Sequence, residues 1–198
     1  MDFTNPPRDP VAACERWFRD AREQTDLPNP NAMTVATVAA DGRPSARTVL
    51  LKAFDARGAV FYTNSESRKG VELAGHPVAS LLFHWDILER QIRIEGGVTQ
   101  VDAAESDAYF ASRRRESQLG AWASKQSRPF AARAEFDQAY AEVEARFEGR
   151  DVQRPPHWYG YRVALERIEF WQGRDARLHD RLVYTATSDG WTTALLYP

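Results

Sequence analysis

The apolar positions Val11, Cys14, Trp17, Phe18 and Ala21 recur at helical spacing behind Asp9 and Pro10, an N-cap followed by a proline suited to the first helical position. The pattern stops at "DLPNPN", so an amphipathic first helix is predicted. From there the period shortens to two. "AMTVATVAA", the turn "DGRP", "ARTVLLKAF", the turn "DARG" and "AVFYTN" read as short strands joined by hairpins. "SESRKGVELAGHP" predicts a short serine-capped helix with a Gly/Pro stop, and "VASLLFHW" and "RQIRIEGGVTQV" predict further strands. Residues 102–115 and about 128–148 read as charged helices. After the loop "RDVQRPPHW", "YGYRVALERIEFWQ" returns to strand character, and "RLVYTAT", "SDG" and "WTTALLYP" predict a closing hairpin. Hairpin-linked strands with helices set beside them predict an α+β fold: an antiparallel barrel with flanking helices. One domain over residues 1–198 is expected, with residues 1–8 flexible and no internal repeat.

Composition narrows the function classes. The chain has 198 residues, 43% of them hydrophobic, with six Trp, seven Tyr and ten Phe, enough for a substantial core. Its formal charge of −2 gives no long-range pull toward polyanions, and the arginines interleave with acids, so nucleic-acid binding is not expected. Any cationic site must be local. No uncharged apolar run reaches membrane-spanning length and no exported leader is visible, while the single Cys14 suits a reducing compartment. The expectation is a cytoplasmic protein with Cys14 packed as a small hydrophobe. Arginines number 23 against three lysines, Lys52, Lys69 and Lys125, so each retained ammonium is a candidate for a site.

Several chemistries drop out. There is no Gly-x-Ser-x-Gly elbow, no Gly-x-Gly-x-x-Gly, no P-loop, and His76, His84, His157 and His179 stand apart with no metal-ligand spacing, so no metal is expected. A phosphate would have to be held by side chains. "TNSESRKG" sets Ser65, Ser67, Arg68 and Lys69 where a strand gives way to a helix, which suits an anion but equally suits a capped helix with solvated charges. Tyr109, Arg113 and Ser117 recur every four residues, one face of a helix if it runs that far, for a second phosphate or simply a polar face. Arg47 and Lys52 have opposite parity, so a regular strand sends them to different faces unless a bulge intervenes. Gln91 and Arg93 share the face opposite Ile92 and Ile94, leaving Gln91 on the non-core side. In "WQGRDARLHDRLVY", Arg177 and His179 point to the same side if the segment is extended, and Arg174 has no assigned partner.

The stretches "RTVLLK", "FYTNSESRKG", "LERQIRIEG", "YFASRRRESQLGAWASKQS" and "IEFWQGRDARLHDR", in that order from about residue 9 to the C-terminus, resemble the pyridoxamine 5′-phosphate oxidase family. The resemblance implies an FMN-binding split β-barrel and a homodimer with its two flavin sites at the subunit interface. It further implies that FMN oxidises pyridoxamine or pyridoxine 5′-phosphate to pyridoxal 5′-phosphate, O2 being reduced to H2O2. Carried over by position, the FMN contacts fall on Arg47, Lys52, Tyr62, Thr63, Arg68, Lys69, Gln91, Gln126, Ser127, Trp171 and Arg181. The implied substrate contacts are Lys52, Tyr109, Arg113 and Ser117 at the phosphate, with Arg177 and His179, the implied catalytic pair, over the pyridine ring. Flavin chemistry needs positioning residues more than a strong acid–base pair.

The chain departs from the family pattern in three places. Members usually carry an N-terminal extension whose arginine and tyrosine help close the substrate site, whereas the resemblance here starts at about residue 9. The usual Arg-Leu-x-Pro ending is Leu195-Leu196-Tyr197-Pro198, and Arg114 stands where proline is common. The alternatives are an FMN oxidase of the same fold for another cyclic substrate, such as a phenazine precursor, or a flavin-binding member with weak turnover.

Overall fold

The computed structural model describes all of residues 1–198. The first helix, α1 (Val11–Glu23), starts one residue after the expected position, with Pro10 just outside it and the Asp9 carboxylate accepting the Val11 N–H at 2.9 Å. Its apolar stripe buries Ala13, Cys14, Trp17 and Ala21. Trp17 meets Phe170 edge-on at 5.2 Å between centroids, a contact of the kind worth roughly 1 kcal/mol beyond simple burial. Cys14 is fully buried, as expected of a packed small hydrophobe.

Ten strands follow: β1 (Ala32–Val38), β2 (Pro44–Leu50), β3 (Ala53–Asp55), β4 (Gly58–Asn64), β5 (Val78–Trp85), β6 (Arg90–Gln100), β7 (Trp158–Val163), β8 (Arg167–Gln172), β9 (Asp180–Thr187) and β10 (Gly190–Leu195). All pairings are antiparallel, in the order β10-β9-β8-β6-β5-β1-β2, with β7, β4 and β3 branching from the far end of β6. The sheet curls into the expected split barrel. Strand β6 makes this possible because residues 90–95 pair with β8 while residues 98–100 pair with β7. Gly96 sits at the change of partner, where a Cβ would lie 2.1 Å from the Ala164 carbonyl oxygen, so only glycine permits the crossing.

"ARTVLLKAF" is not one strand. Strand β2 ends at Leu50, and Lys52 N–H bonds to the Val60 carbonyl at 2.8 Å, so the chain leaves β1 and joins β4. The helix expected over 102–115 is also interrupted. It divides into α3 (Ala103–Ala111) and α4 (Arg115–Ala123), because Arg114 is extended (φ −58°, ψ 141°) and Arg113 N–H turns back to the Phe110 carbonyl. The next helix, α5 (Arg133–Arg146), is shorter than expected. Helix α2 (Arg68–Gly75) is capped by Ser67, whose hydroxyl accepts the Gly70 N–H at 3.3 Å. A second small core of Phe110, Leu119, Phe147, Val152 and Trp158 fixes the helices against the barrel. Residues 1–8, expected to be flexible, send Phe3 into the main core, and Tyr184 donates its hydroxyl to the Pro7 carbonyl at 2.9 Å.

Candidate active site

A cavity of about 980 Å³ opens between β2, β4, the start of α2 and the junction of α3 with α4. Arg47, Lys52, Tyr62, Thr63, Arg68, Lys69, Tyr109, Arg113, Ser117, Gln126 and Ser127 all line it. Arg47 and Lys52 therefore meet in one cavity despite their opposite parity, because the break after Leu50 resets the alternation. Tyr109, Arg113 and Ser117 converge as well, but not as a stripe on one helix. The bend at residues 112–114 brings them in from the end of α3, the bend itself and the first turn of α4.

One end of the cavity is a cationic cradle. Serine-capped α2 places Arg68 and Lys69 beside Arg47 from β2. Lys69 Nζ donates to Thr63 Oγ1 at 2.8 Å, Gln126 Oε1 at 2.9 Å and Ser67 Oγ at 3.2 Å, so its three N–H bonds end on neutral oxygens. Burial, and then the neighbouring Arg47, lower its pKa to about 8 against the opposing pull of Glu72. Behind the arginines lies Glu72, whose side chain is 5% exposed. Its carboxylate accepts from Thr37 Oγ1 at 2.5 Å, Ser45 Oγ at 2.6 Å, Arg68 Nε at 2.9 Å and Arg47 Nη2 at 3.2 Å. Burial alone would raise this carboxyl, but the hydrogen bonds from Ser45, Thr37, Arg68 and Arg47 prevail and hold its pKa down to about 2. Sequence reasoning missed Glu72. Its signal was an acid four residues after Arg68 on the buried face of an amphipathic helix.

The other end is built on stacked rings. Tyr62, Tyr109 and Trp158 form a cluster of near-parallel rings: Tyr62 is 4.0 Å from Tyr109 and 5.1 Å from Trp158, with interplanar angles of 20° and 12°, and Tyr109 is 6.1 Å from Trp158. Lys52 Nζ sits 5.8 Å from the Tyr109 ring centre, and the Arg113 guanidinium sits 4.7 Å from that of Trp158. Arg113 Nη1 is buried with no hydrogen-bond partner, and burial lowers the pKa of the guanidinium. A buried donor left open beside a cavity is an anion site in waiting. Burial first, then Glu105 and Tyr109, push the Tyr62 hydroxyl up to about 12, so it stays a neutral donor.

Five of the residues singled out from the sequence lie elsewhere. Gln91, Trp171 and Arg181 stand directly opposite one another across β6, β8 and β9. Arg47 belongs to another row, through Val35, Leu81 and Ile94. Gln91 is three residues from Ile94 and therefore faces the opposite side of the same sheet from Arg47. The segment holding Arg177 and His179 is not extended as supposed. It is a tight turn over Asp175–Arg177, with Ala176 at φ 53° and Arg177 at φ 63°, both in the left-handed region. His179 packs on Trp171 at 4.6 Å, and its Nδ1 accepts the Arg174 N–H at 3.2 Å, leaving Nε2 to carry the proton of the neutral ring. Arg174 is not merely solvated, since its Nε donates to Asp180 at 2.8 Å. Arg181 is fixed by Glu169 at 2.8 Å and by the Tyr197 carbonyl at 3.1 Å, which ties the C-terminus to this face. No helix is long and apolar enough to cross a membrane.

Comparison with known proteins gives the family and the fold. Residues 20–147 match the family profile described as pyridoxamine 5′-phosphate oxidase, and residues 158–198 match the pyridoxine 5′-phosphate oxidase C-terminal dimerisation region. A pyridoxine/pyridoxamine 5′-phosphate oxidase of Sphingopyxis alaskensis is 58% identical over 96% of this chain and 88% of its own length. One from Myxococcus xanthus is 56% identical over 97% and 93%. Among solved structures, PhzG of Burkholderia lata 383, in complex with tetrahydrophenazine-1-carboxylic acid, superposes with a TM-score of 0.92 at 34% identity, covering 99% of this chain and 96% of that one. A pyridoxamine 5′-phosphate oxidase-related, FMN-binding protein of Nostoc punctiforme has the same fold, with a TM-score of 0.78 at 17% identity and full coverage of both chains. With β1–β6 and α2–α5 matched by one profile and β7–β10 by the other, the chain belongs to the pyridoxamine 5′-phosphate oxidase family.

Proposed function

We propose that the protein is a homodimeric, FMN-dependent oxidase that converts pyridoxamine or pyridoxine 5′-phosphate to pyridoxal 5′-phosphate with O2 as acceptor and release of H2O2. The observation that carries this reading is the pair of separate anion sites in one cavity: the cradle of Arg47, Arg68 and Lys69, and the open Arg113 donor flanked by Tyr109, Lys52 and Ser117. Two phosphorylated ligands, a cofactor and a substrate, meet that demand.

The residues present fit FMN. Arg47 and Arg68 would hold its phosphate, with Lys69 adding charge from its fixed position and Tyr62, Thr63, Gln126 and Ser127 lining the way outward. Gln91, Trp171 and Arg181 lie on the other face of the sheet, so they serve the same flavin only if a second chain supplies them. The match to a dimerisation region over residues 158–198, which includes Trp171, Arg177, His179 and Arg181, supports that arrangement. When bound, FMN supplies the two-electron acceptor and the reaction with O2.

The protein's own part is alignment and charge. Arg113, Lys52, Tyr109 and Ser117 grip the substrate phosphate and so fix its ring against the flavin in a reactive orientation. Arg177 and His179 close over the ring from the partner subunit, where His179, with Nδ1 taken by the Arg174 N–H, offers its Nε2 proton as a hydrogen bond that holds the substrate in place. The 0.92 TM-score to PhzG favours a second reading, an oxidase of a cyclic acid that carries no phosphate. Steady-state rates with pyridoxamine 5′-phosphate, unphosphorylated pyridoxamine and tetrahydrophenazine-1-carboxylic acid separate the two. Strong preference for the first supports the proposal, and preference for the last overturns it.

A further inference from the structure

We propose that Glu72 is a positioning residue for the cofactor: from behind the cradle it holds Arg47 and Arg68 in place and trims the cradle's charge to match a dianionic phosphate monoester. The inference rests on the reading of the cradle as the FMN phosphate site. Three cations, Arg47, Arg68 and Lys69, face the cavity, whereas Glu72 lies outside its lining. One carboxylate against three cations leaves two positive charges, the complement of a phosphomonoester above its second pKa of about 6. A flavin without the phosphate, or one whose phosphate is a diester, offers less charge to this cradle.

The geometry shows how the positioning works. Glu72 Oε1 takes Arg68 Nε at 2.9 Å, an i to i+4 pair on α2, and leaves the terminal nitrogens of Arg68 free for a ligand. Glu72 Oε2 takes Arg47 Nη2 at 3.2 Å together with the Thr37 and Ser45 hydroxyls, and Arg47 bonds the same two hydroxyls itself. Two arginines from separate elements are thus tied to one buried anion before any ligand arrives, so the ordering cost is met on folding and not on binding. Without the shared carboxylate the two guanidiniums would repel each other.

Glu72 also acts on Lys69. The groups facing that ammonium are Arg47 from β2, Glu72 from α2, and the neutral Thr63, Ser67 and Gln126. Arg47 and burial drive the proton off, whereas Glu72 keeps it on. Since the phosphate favours the protonated form, FMN affinity in the wild type falls above about pH 8 toward that of a cradle with no charge at this position. Removing the Glu72 charge moves that break to lower pH.

The test is FMN titration of the apoprotein, followed by quenching of flavin fluorescence from pH 6.5 to 9.5, for the wild type, Glu72→Gln, Ser45→Ala and Lys69→Met. For Glu72→Gln the expected result is a Kd about tenfold higher at pH 7 and a break displaced below pH 8, a displacement that a purely structural role would not produce. A Kd and break identical to the wild type overturn the proposal. Ser45→Ala removes one anchor of the carboxylate without touching its charge, and keeps the test decisive if Glu72→Gln does not fold. Weaker binding with the break still near pH 8 supports the positioning role, and an unchanged Kd contradicts it. Lys69→Met should bind weakly with no break at all. If the wild type does not bind FMN, the cradle's assignment fails; if only the Glu72 effects are absent, this inference fails and that assignment stands.

Discussion

The Arg113 guanidinium lies 4.7 Å from the ring centre of Trp158, and its Nη1 is buried without a partner. The indole fixes the plane of the guanidinium while the open donor stays available to an anion. Arg113→Lys keeps the charge but loses both the planar fork and the stacking. A charge-assisted hydrogen bond is worth about 1.5–3 kcal/mol, so KM for the phosphorylated substrate should rise about 10- to 100-fold, with FMN retention unchanged. Steady-state kinetics on the flavin-loaded protein check this.

The same open donor carries a stability cost in the empty protein. Arg113→Met removes a buried unsatisfied N–H while keeping contact with Trp158, and should raise the melting temperature of the ligand-free protein by about 2–4 °C while abolishing the substrate's phosphate grip. Calorimetry with and without pyridoxal 5′-phosphate separates the two effects: the ligand should stabilise the wild type and leave the variant unmoved.

Gly70 is where α2 presses on the loop before it. A Cβ there would lie 2.2 Å from the Ser65 carbonyl oxygen, and Ser65 is itself tied to the His157 carbonyl at 2.7 Å through its N–H and at 3.0 Å through its hydroxyl. Gly70→Ala therefore tilts the helix turn that carries Arg68 and Lys69. A loss of about 1–3 kcal/mol in stability and a colourless protein after purification are expected, read by thermal unfolding and by the flavin spectrum.

Acid stability follows from Glu72. Its folded pKa of about 2 lies below the ordinary 4.5, so it stabilises the fold above pH 4.5, and that contribution is lost as pH falls toward 2. Glu72→Gln should be less stable than the wild type at pH 6, and the gap should close as pH falls through this window, measured as urea midpoints.

Much of this was legible in the sequence. Alternation of Ile92 and Ile94 with Gln91 and Arg93 placed β6 and its two faces correctly, and the serine cap marked α2. What alternation does not encode is where a strand trades partners. Lys52 bonds to β4 instead of β1, a change of partner at the end of β2 that overturned the parity argument for Arg47 and Lys52. The bend at Arg113 and Arg114 was hidden for a similar reason: both residues tolerate helix, and the second small core, not local propensity, divides α3 from α4. Residue types alone pointed to Lys69 and Arg68, but Glu72 read as one more acid on a helix until Thr37 and Ser45, some thirty residues away, were seen to donate to it.

If each site draws Arg47 from one chain and Arg177 from its partner, two inactive variants should rescue one another. Co-expressed Arg47→Ala and Arg177→Ala chains form mixed dimers in about half the molecules, each with one intact site, so about a quarter of wild-type activity should return. No recovery would mean that both residues serve the same chain's site.

The most direct measurement is on the purified, FMN-reconstituted protein given pyridoxamine 5′-phosphate in air, with aldehyde product and peroxide quantified together. The expected result is a yellow protein that forms pyridoxal 5′-phosphate and H2O2 in equal amounts over many turnovers. A protein that takes up FMN but yields neither product, or that cannot be loaded with FMN, would contradict the proposed activity.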